Sequence, residues 1–246
     1  MKKIRVEAST AYDILIENGL LGESGRLIGE IAKGRTAVIV SDSNVFPLYG
    51  DAVKKSLEKE SFNVLSFVFE AGEDSKSTDT LVKLWEFLAE SRVTRSDVLV
   101  ALGGGVTGDL TGFAAATFLR GIKYVNIPTS LLSMVDSSVG GKTAIDLKAG
   151  KNMAGAFYQP HLVLCDVDML DTLPEAVLAD GIAETLKYGI IGNAELFEKT
   201  AAGSFRDDLE EIIETCVKMK RDIVVEDEST FEQKPVKSAI KTLKTE

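Results

Sequence analysis

The 246-residue sequence is poor in the side chains that build disulfide frameworks and metal clusters. It has one histidine, His161, and two cysteines, Cys165 and Cys216, that are far apart along the chain. A Ser-His-Asp triad centred on any other histidine is therefore excluded, and so is a Cys/His metal cluster. Two distant cysteines argue against a disulfide framework and favour a reduced, cytoplasmic setting.

Positive charge and long apolar runs are also scarce. The formal net charge is −10, which argues against nucleic acid as a partner. No apolar stretch approaches the ~20 residues that cross a bilayer, and no apolar core follows the basic N-terminal residues as in a signal peptide. The sequence thus predicts a soluble protein with no membrane partner, in which any anion site is a local basic pocket.

Short β-rich segments alternate with helical patterns over the first 170 residues, which indicates a parallel sheet covered on both faces. We predict strands at Ile4–Ala8, Asp13–Glu17, Ala37–Ser41, Val64–Phe69, Val98–Leu102, Tyr124–Ile127 and Leu162–Asp166. Helices are predicted at Gly25–Ala32, Tyr49–Lys59, Thr80–Ser91, Leu110–Leu119, Ala176–Ile191, Ala194–Ala201 and Asp207–Val225. Because only helices follow Pro174, we predict an α/β domain over 1–173 and a helical segment over 174–246.

A glycine-rich turn follows one predicted strand. Gly103, Gly105 and Gly108 have the G-x-G-x-x-G spacing between a strand and a helix, where free N–H groups attract a pyrophosphate. This spacing alone is weak evidence, and it comes about a hundred residues later than a standard dinucleotide fingerprint. A tight turn without a ligand is the alternative.

Acidic and basic residues follow two other strands. Asp42 ends a predicted strand, where a carboxylate accepts hydrogen bonds from ribose hydroxyls, although a helix cap explains it equally well. Glu73 and Lys76 lie in another loop after a strand, and they strengthen the case for a nucleotide crevice.

Isolated cationic residues point to a phosphorylated ligand. Lys142, Lys151 and Lys187 stand among small or apolar neighbours, with Asn152 nearby, and Arg120 offers a forked donor for phosphate. Solvated surface lysines are the alternative. Glu184 lies three residues before Lys187, so the two side chains share one face of a helix. They either point into the same cleft or form an exposed ion pair. His161 precedes a strand, which favours a strand-entry position over a catalytic one.

Taken together, these motifs resemble the 3-dehydroquinate synthase family of sugar phosphate cyclases. The resemblance covers roughly residues 1 to 228. It is carried by Gly103–Asp109, Leu110–Gly121, Pro128–Leu132, Val135–Thr143, Gly150–Asn152, Gly155–Pro160, Leu173–Pro174 and Gly181–Gly189.

The resemblance implies an α/β Rossmann-like N-terminal domain, an all-α C-terminal domain and an active site between them. It implies NAD as a recycled cofactor, a divalent metal (zinc or cobalt) and commonly a homodimer. The substrate would be 3-deoxy-D-arabino-heptulosonate 7-phosphate, converted to 3-dehydroquinate and phosphate on the shikimate pathway to aromatic amino acids.

The resemblance also implies roles for individual residues. The residues that it implies bind the cofactor are Asp42, Glu73, Lys76, Gly104, Gly105, Val106, Thr107, Gly108, Asp109, Thr129, Ser130, Lys142, Lys151 and Thr172. Those implied for substrate binding and catalysis are Lys142, Asn152, Lys187, Arg120, Asp136 and Lys151. Glu184 matches a metal-binding carboxylate, and Arg120 matches a phosphate-binding arginine that reaches a neighbouring subunit's site.

The sequence departs from the family pattern near its end. Two further metal ligands of the family are histidines, and this chain has neither, so the implied metal site is incomplete. Residues 229–246 differ from the family's continuation and suggest one short helix with Val236, Ile240 and Leu243 on a stripe. We therefore expect a C-terminally truncated or frameshifted product whose activity is in doubt.

Three other functions fit parts of the pattern. A polyol or glycerol dehydrogenase shares the related fold, but Asp136–Thr143 and Gly150–Asn152 suit a phosphorylated, hydroxylated acid better. A degenerate NAD-binding module would bind the cofactor without turnover. Cyclases that form inosose-type rings share the motifs and stay as a minor alternative.

Overall fold

A seven-stranded sheet lies at the centre of the chain, in a computed structural model that describes residues 1–202 and 205–233. Its strands are β1 (Lys2–Val6), β2 (Tyr12–Glu17), β3 (Thr36–Asp42), β4 (Asn63–Phe69), β5 (Val98–Gly103), β6 (Lys123–Pro128) and β9 (Leu162–Asp166). The spatial order is β1-β2-β9-β6-β5-β3-β4, and every neighbouring pair is parallel except β1 and β2. Every residue of β5 and β9 is buried, which explains their unbroken apolar sequences.

Seven α-helices accompany the sheet within the described residues. They are α1 (Ser24–Gly29), α2 (Phe46–Lys59), α3 (Thr78–Glu90), α4 (Gly105–Thr117), α5 (Glu175–Gly192), α6 (Ala194–Ala201) and α7 (Leu209–Gln233). Alternate residues of β5 enter two separate cores, with Val98 and Val100 in one and Leu99 in the other. The sheet is therefore covered on both faces, and the α/β class predicted from the sequence is confirmed.

A two-stranded hairpin, β7 (Lys142–Leu147) and β8 (Gly150–Phe157), was not predicted. Its glycines and charged residues hide the strand pattern, because only Thr143 and Ile145 of β7 are buried. Gly112 of α4 permits the close packing of this hairpin, since a Cβ atom there would lie 2.4 Å from Thr143 Cγ2. The hairpin is thus fixed along α4, beside the glycine turn.

Helix α4 starts five residues earlier than the predicted Leu110. The glycines of its first turn disfavour helix by composition, yet that turn is helical from Gly105. After β9, α5 and α6 form a helical pair, and α7 packs on β1, β2 and the turn Ser133–Ser137.

Two expectations concern the end of the chain. The stripe of Val236, Ile240 and Leu243 lies outside the described residues, and the division at residue 173 stays a prediction. Among the described helices, none combines the length and apolar character that a bilayer crossing requires.

Candidate active site

The glycine turn lies at the carboxyl edge of the parallel sheet, between β5 and α4. Gly104 precedes the first turn of α4, and no side chain caps that helix end. Its backbone is extended, and an added Cβ would meet only Ser130 Oγ, at 3.6 Å. The N–H groups of this helix end are therefore accessible to an anion.

The turn lies at the point where the strand order of the sheet reverses. The chain goes outward from β3 to β4, and then crosses to the other side of β3 to form β5 and β6. In open α/β sheets, ligands bind in the crevice at such a point, outside the carboxyl ends of the strands. The structure therefore provides a crevice of the kind that holds a dinucleotide.

Asp42 closes one side of this crevice. Its Oδ1 accepts hydrogen bonds from the N–H groups of Asn44 (2.9 Å) and Val45 (3.0 Å), so it caps the loop that leads into α2. Among the described residues, its Oδ2 accepts only a long contact, at 3.4 Å, from the buried hydroxyl of Thr107. The capping role and the ligand role weighed from the sequence are thus compatible, because the second oxygen has capacity for a ribose hydroxyl.

Other predicted cofactor residues surround the same crevice. The Thr129 N–H donates to Gly103 O at 3.0 Å, which ties the end of β6 to the glycine turn. Ser130 lies next to Gly104, while Thr172 contacts the Tyr49 hydroxyl of α2 at 2.5 Å. Val106 is partly buried and packs against the apolar core.

Lys76 is the most buried charged residue of the site. Its side chain is 5% exposed, and its Nζ lies 2.5 Å from Asp109 Oδ2 and donates to Asn152 Oδ1. Burial raises the pKa of Asp109, and the Lys76 ammonium only partly offsets this effect. Lys76 therefore joins the loop after β4, helix α4 and the hairpin in one polar cluster.

The hairpin is tied to that loop at two further places. The Lys151 ammonium lies 3.2 Å from Glu73 Oε1 in an exposed pair, and the Asp146 N–H donates to Lys76 O at 2.8 Å. Asn152 has a left-handed backbone, with φ of 57°, and its N–H donates to Asp146 Oδ1 at 2.7 Å. Non-glycine residues with such a φ are uncommon and occur often at binding sites.

A cavity of about 420 Å³ lies beside the hairpin and is also lined by residues of α4, α7 and the segment 136–139. Four residues predicted for the site line it: Asp109, Asp136, Lys142 and Asn152. Its floor includes the small residues Ala144 and Gly155, while Phe157 and Lys220 form part of its wall. The volume is that of a small-molecule site, and the lining suits an anionic, hydroxylated ligand.

Asp136 is held by two helices of the C-terminal part. Its Oδ1 accepts hydrogen bonds from Tyr188 of α5 (2.8 Å) and from Lys220 of α7 (2.5 Å). Burial by itself would raise the pKa of Asp136. The bonds from Lys220 and Tyr188 outweigh it, so the pKa lies below its ordinary value. Asp136 is therefore an anion near neutral pH.

The residues around Glu184 do not fit a divalent metal by themselves. The Glu184 carboxylate is paired with Lys187, 2.7 Å away on the same face of α5, and Lys187 is largely exposed. The described part of the chain contains no group of three or more histidine, cysteine or acidic side chains placed to hold a metal ion. A tightly bound metal needs such a group.

Arg120 does not line the cavity of its own chain. It follows α4, whose thirteen residues span about 20 Å from the glycine turn. Leu119, Arg120 and Gly121 all have positive φ, so this exposed loop has an unusual conformation. Arg120 therefore lies at the opposite end of α4 from the glycine turn.

His161 lies at the opposite, amino edge of the sheet. Its N–H donates to Tyr124 O, and no partner for its buried Nδ1 is found in the part of the chain that the structure describes. Burial and the nearby Lys123 charge lower the pKa of His161 to about 4. His161 therefore directly precedes β9, which is the position expected from the sequence.

The sequence analysis missed Lys220 and Tyr188. Lys220 interrupts a buried stripe on α7, because Ile213 and Val217 on the same face are fully buried. A charge on an apolar helix stripe is a usable sign of a buried partner. Tyr188 gave no comparable sign, since its hydroxyl partner is 52 residues away in sequence.

Two family models match the chain. The model described as "3-dehydroquinate synthase N-terminal" matches residues 66–180, and "3-dehydroquinate synthase C-terminal" matches residues 181–236. The second match continues past residue 228, where the motif resemblance was expected to end.

Curated relatives and a solved structure agree with these matches. The 3-dehydroquinate synthases of Clostridium acetobutylicum and Clostridium perfringens strain 13 are 44% and 46% identical to it. These alignments cover 93% and 96% of this chain but 65% and 69% of the relatives, so it spans about two thirds of their length. A 2-deoxy-scyllo-inosose synthase, solved with carbaglucose-6-phosphate, NAD+ and Co2+, superposes with a TM-score of 0.82 at 27% identity, over 92% of this chain and 63% of that one. The chain belongs to the 3-dehydroquinate synthase family.

Proposed function

We propose that this chain carries the cofactor and substrate cleft of a 3-dehydroquinate synthase, a lyase that converts 3-deoxy-D-arabino-heptulosonate 7-phosphate to 3-dehydroquinate and phosphate. The observation that carries the proposal is a single cavity that joins Asp109, Asp136, Lys142 and Asn152 beside an uncapped helix start. The inosose synthase that binds a sugar phosphate analogue and NAD+ has the same fold, which supports this assignment.

The crevice residues fit NAD. The N–H groups at Gly104 and Gly105 would receive the pyrophosphate, and the free capacity of Asp42 Oδ2 suits a ribose hydroxyl. Glu73, Lys76 and Thr172 belong to loops at the same edge. When bound, NAD supplies a hydride acceptor that also returns the hydride, so the overall reaction is redox-neutral.

The cavity residues suit a hydroxylated sugar phosphate. Lys142 and Lys220 bring positive charge to the cavity in a protein of net charge −10, as a phosphorylated acid requires. Asn152 presents an amide, and the anionic Asp136 accepts a hydrogen bond from a substrate hydroxyl. The reaction breaks the carbon–oxygen bond to phosphate, after oxidation of a hydroxyl acidifies the adjacent C–H bond.

The position of Lys76 and Asp109 gives the cleft a buried charge pair next to the cofactor crevice. Because the pKa of Asp109 is raised by burial, this carboxyl is closer than an ordinary aspartate to exchanging a proton. No step is assigned to a metal, since the described residues do not form its site.

A homodimer follows from the same proposal. Arg120 lies on an exposed loop outside its own cavity, so a phosphate contact by this residue requires a second copy of the chain. We expect the protein in the cytoplasm, where its two buried, free cysteines remain reduced. Light scattering of the purified chain tests the dimer.

The test of the proposed function uses three readouts on the purified chain. Calorimetry should show NAD binding, and 3-deoxy-D-arabino-heptulosonate 7-phosphate should release inorganic phosphate without accumulation of NADH. Lys142→Met should weaken substrate binding at least about ten-fold through loss of a charged contact. Lys148→Met is the matched control, because Lys148 is exposed at the hairpin tip.

An NAD-binding chain without turnover is the second candidate. It is favoured by the pairing of Glu184 with Lys187 and by the lack of a metal-ligand group among the described residues. NAD binding without phosphate release would select it. NADH accumulation with a polyol would instead indicate a dehydrogenase, and absence of NAD binding would overturn both proposals.

A further inference from the structure

Tyr188 has a feature that the proposed reaction does not use directly. The tyrosine is 5% exposed, and its hydroxyl donates to Asp136 Oδ1 at 2.8 Å. Burial and the neighbouring Asp136 charge raise the pKa of Tyr188, so its hydroxyl stays protonated and acts as a donor at all ordinary pH values. A buried tyrosine hydroxyl is thus committed to one carboxylate of the cavity.

Close backbone packing fixes this tyrosine. At Gly181, an added Cβ would lie 2.5 Å from Leu131 Cβ, so α5 approaches the turn that carries Asp136 as closely as glycine permits. At Gly189, it would lie 2.8 Å from the Phe197 Cα of α6. The part of α5 that carries Tyr188 is therefore held by two close contacts, and the bond to Asp136 fixes the position of the hydroxyl.

Both donors to Asp136 use the same oxygen. Lys220 Nζ and the Tyr188 hydroxyl bond to Oδ1, and no hydrogen bond to Oδ2 is found within the described residues. The Asp136 side chain lines the cavity and is 28% exposed. Oδ2 is therefore available to a ligand, with the carboxylate plane set by the two bonds to Oδ1.

Other ionisable groups surround this pair on several elements. They are Glu184 and Lys187 on α5, Cys216 and Lys220 on α7, Lys142 on β7 and Asp109 on α4. Only Lys220 and Tyr188 donate hydrogen bonds to the Asp136 carboxylate among the described residues. Lys220 is a cavity cation that a ligand anion can attract away from Asp136, whereas Tyr188 carries no charge and has no such competitor.

We infer that Tyr188 is a positioning residue: its hydroxyl holds Asp136 so that Oδ2 accepts a hydrogen bond from a ligand hydroxyl while Lys220 turns to the ligand's anionic group. This inference rests on the proposed function for the identity of the ligand. The tyrosine itself touches neither substrate nor cofactor.

The first test does not depend on activity. In Tyr188→Phe, NMR of the Asp136 carboxyl carbon should show a pKa about one or more higher than in the unsubstituted chain, because a donor to the charged form is lost. Tyr158→Phe is the matched control, since that hydroxyl donates to Ile122 O and not to a carboxylate. An unchanged Asp136 titration in Tyr188→Phe would overturn the inference.

The second test uses 3-deoxy-D-arabino-heptulosonate 7-phosphate as the probe, in the presence of NAD. Tyr188→Phe should weaken binding about ten-fold, and the same substitution made in Asp136→Asn should change affinity by less than about two-fold. Equal losses in both backgrounds would show a merely structural role and contradict the inference. If the unsubstituted chain does not bind the probe, the proposed function fails, and the carboxyl titration alone decides the role of Tyr188.

Discussion

The two edges of the parallel sheet differ in whether their polar groups are available to a ligand. At the amino edge, Asp97 is 5% exposed and accepts bonds from the N–H groups of Thr36 and Thr94 and from the Thr94 hydroxyl, while His161 stays neutral. At the carboxyl edge, an uncapped helix start and the cavity over the hairpin leave polar groups available. Polar groups at the amino edge are thus used within the fold, whereas those at the carboxyl edge remain available to a ligand.

The comparison shows which charges are structural. A buried carboxylate such as Asp97, whose hydrogen bonds come from Thr36 and Thr94, stabilises a loop. Lys76 is equally buried, but its partners come from α4 and the hairpin, so it joins separate elements around an opening. Breaking each arrangement in turn tests this distinction.

Lys76→Met should have the largest effect on stability. It removes the ammonium and leaves Asp109 largely buried without its ion pair, which costs about 3 kcal/mol of unfolding free energy near neutral pH. The folded-state pKa of Asp109, already raised by burial, should rise further. A carboxyl whose folded-state pKa is raised contributes stability below its unfolded-state pKa, and this stability is lost as the pH rises through the folded-state pKa. The loss of unfolding free energy in Lys76→Met should therefore be smaller in acid.

Urea denaturation at several pH values measures this effect. Lys54→Met is the control, because the ion pair of Lys54 with Glu58 is exposed and 3.9 Å long. A loss for Lys76→Met no greater than for Lys54→Met would show that the buried cluster is not structural.

Protonation of His161 in acid should lower the free energy of unfolding by at most about 3 kcal/mol. Its folded-state pKa is lowered to about 4, first by burial and then by the Lys123 charge. The stability from its neutral form is present above the ordinary histidine pKa of ~6.5, and is lost as the pH falls toward 4. His161→Gln should flatten this interval, and the NMR signal of the lone histidine reports its pKa directly. A titration near 6.5 would contradict the closed amino edge.

The sequence predicted the two edges of the sheet better than the cavity at the hairpin. The strands of the sheet and the glycine turn follow from local patterns, because β5 is continuously apolar and Gly103–Gly108 stands between a strand and a helix. The hairpin was missed because its buried side chains are few. Asp136, Tyr188 and Lys220 come from three distant segments, and only tertiary packing brings them together.

Gly104→Ala should separate ligand binding from folding. The new methyl group meets only Ser130 Oγ, at an ordinary contact distance of 3.6 Å, so stability should change little. The proposed site places the NAD pyrophosphate against this backbone, so NAD affinity should fall at least about ten-fold, or about 1.4 kcal/mol. Gly22→Ala, whose added Cβ has nothing within 4 Å, is the control for calorimetry. Equal NAD affinity in both variants would place the cofactor elsewhere.

Glu184→Gln should have the smallest effect. Its partner Lys187 is 57% exposed, and such exposed pairs contribute less than about 1 kcal/mol. Thermal unfolding should therefore hardly change, in contrast to Lys76→Met. A large loss of stability would show that Glu184 has a buried structural role that its geometry does not indicate.

Hydrogen exchange in the presence of saturating NAD tests the central claim most directly. The account predicts increased protection at residues 103–109 and 129–133 on the carboxyl edge, and unchanged exchange at residues 94–97 and 121–124 on the amino edge. Protection confined to the amino edge, or no protection at the glycine turn, would contradict it.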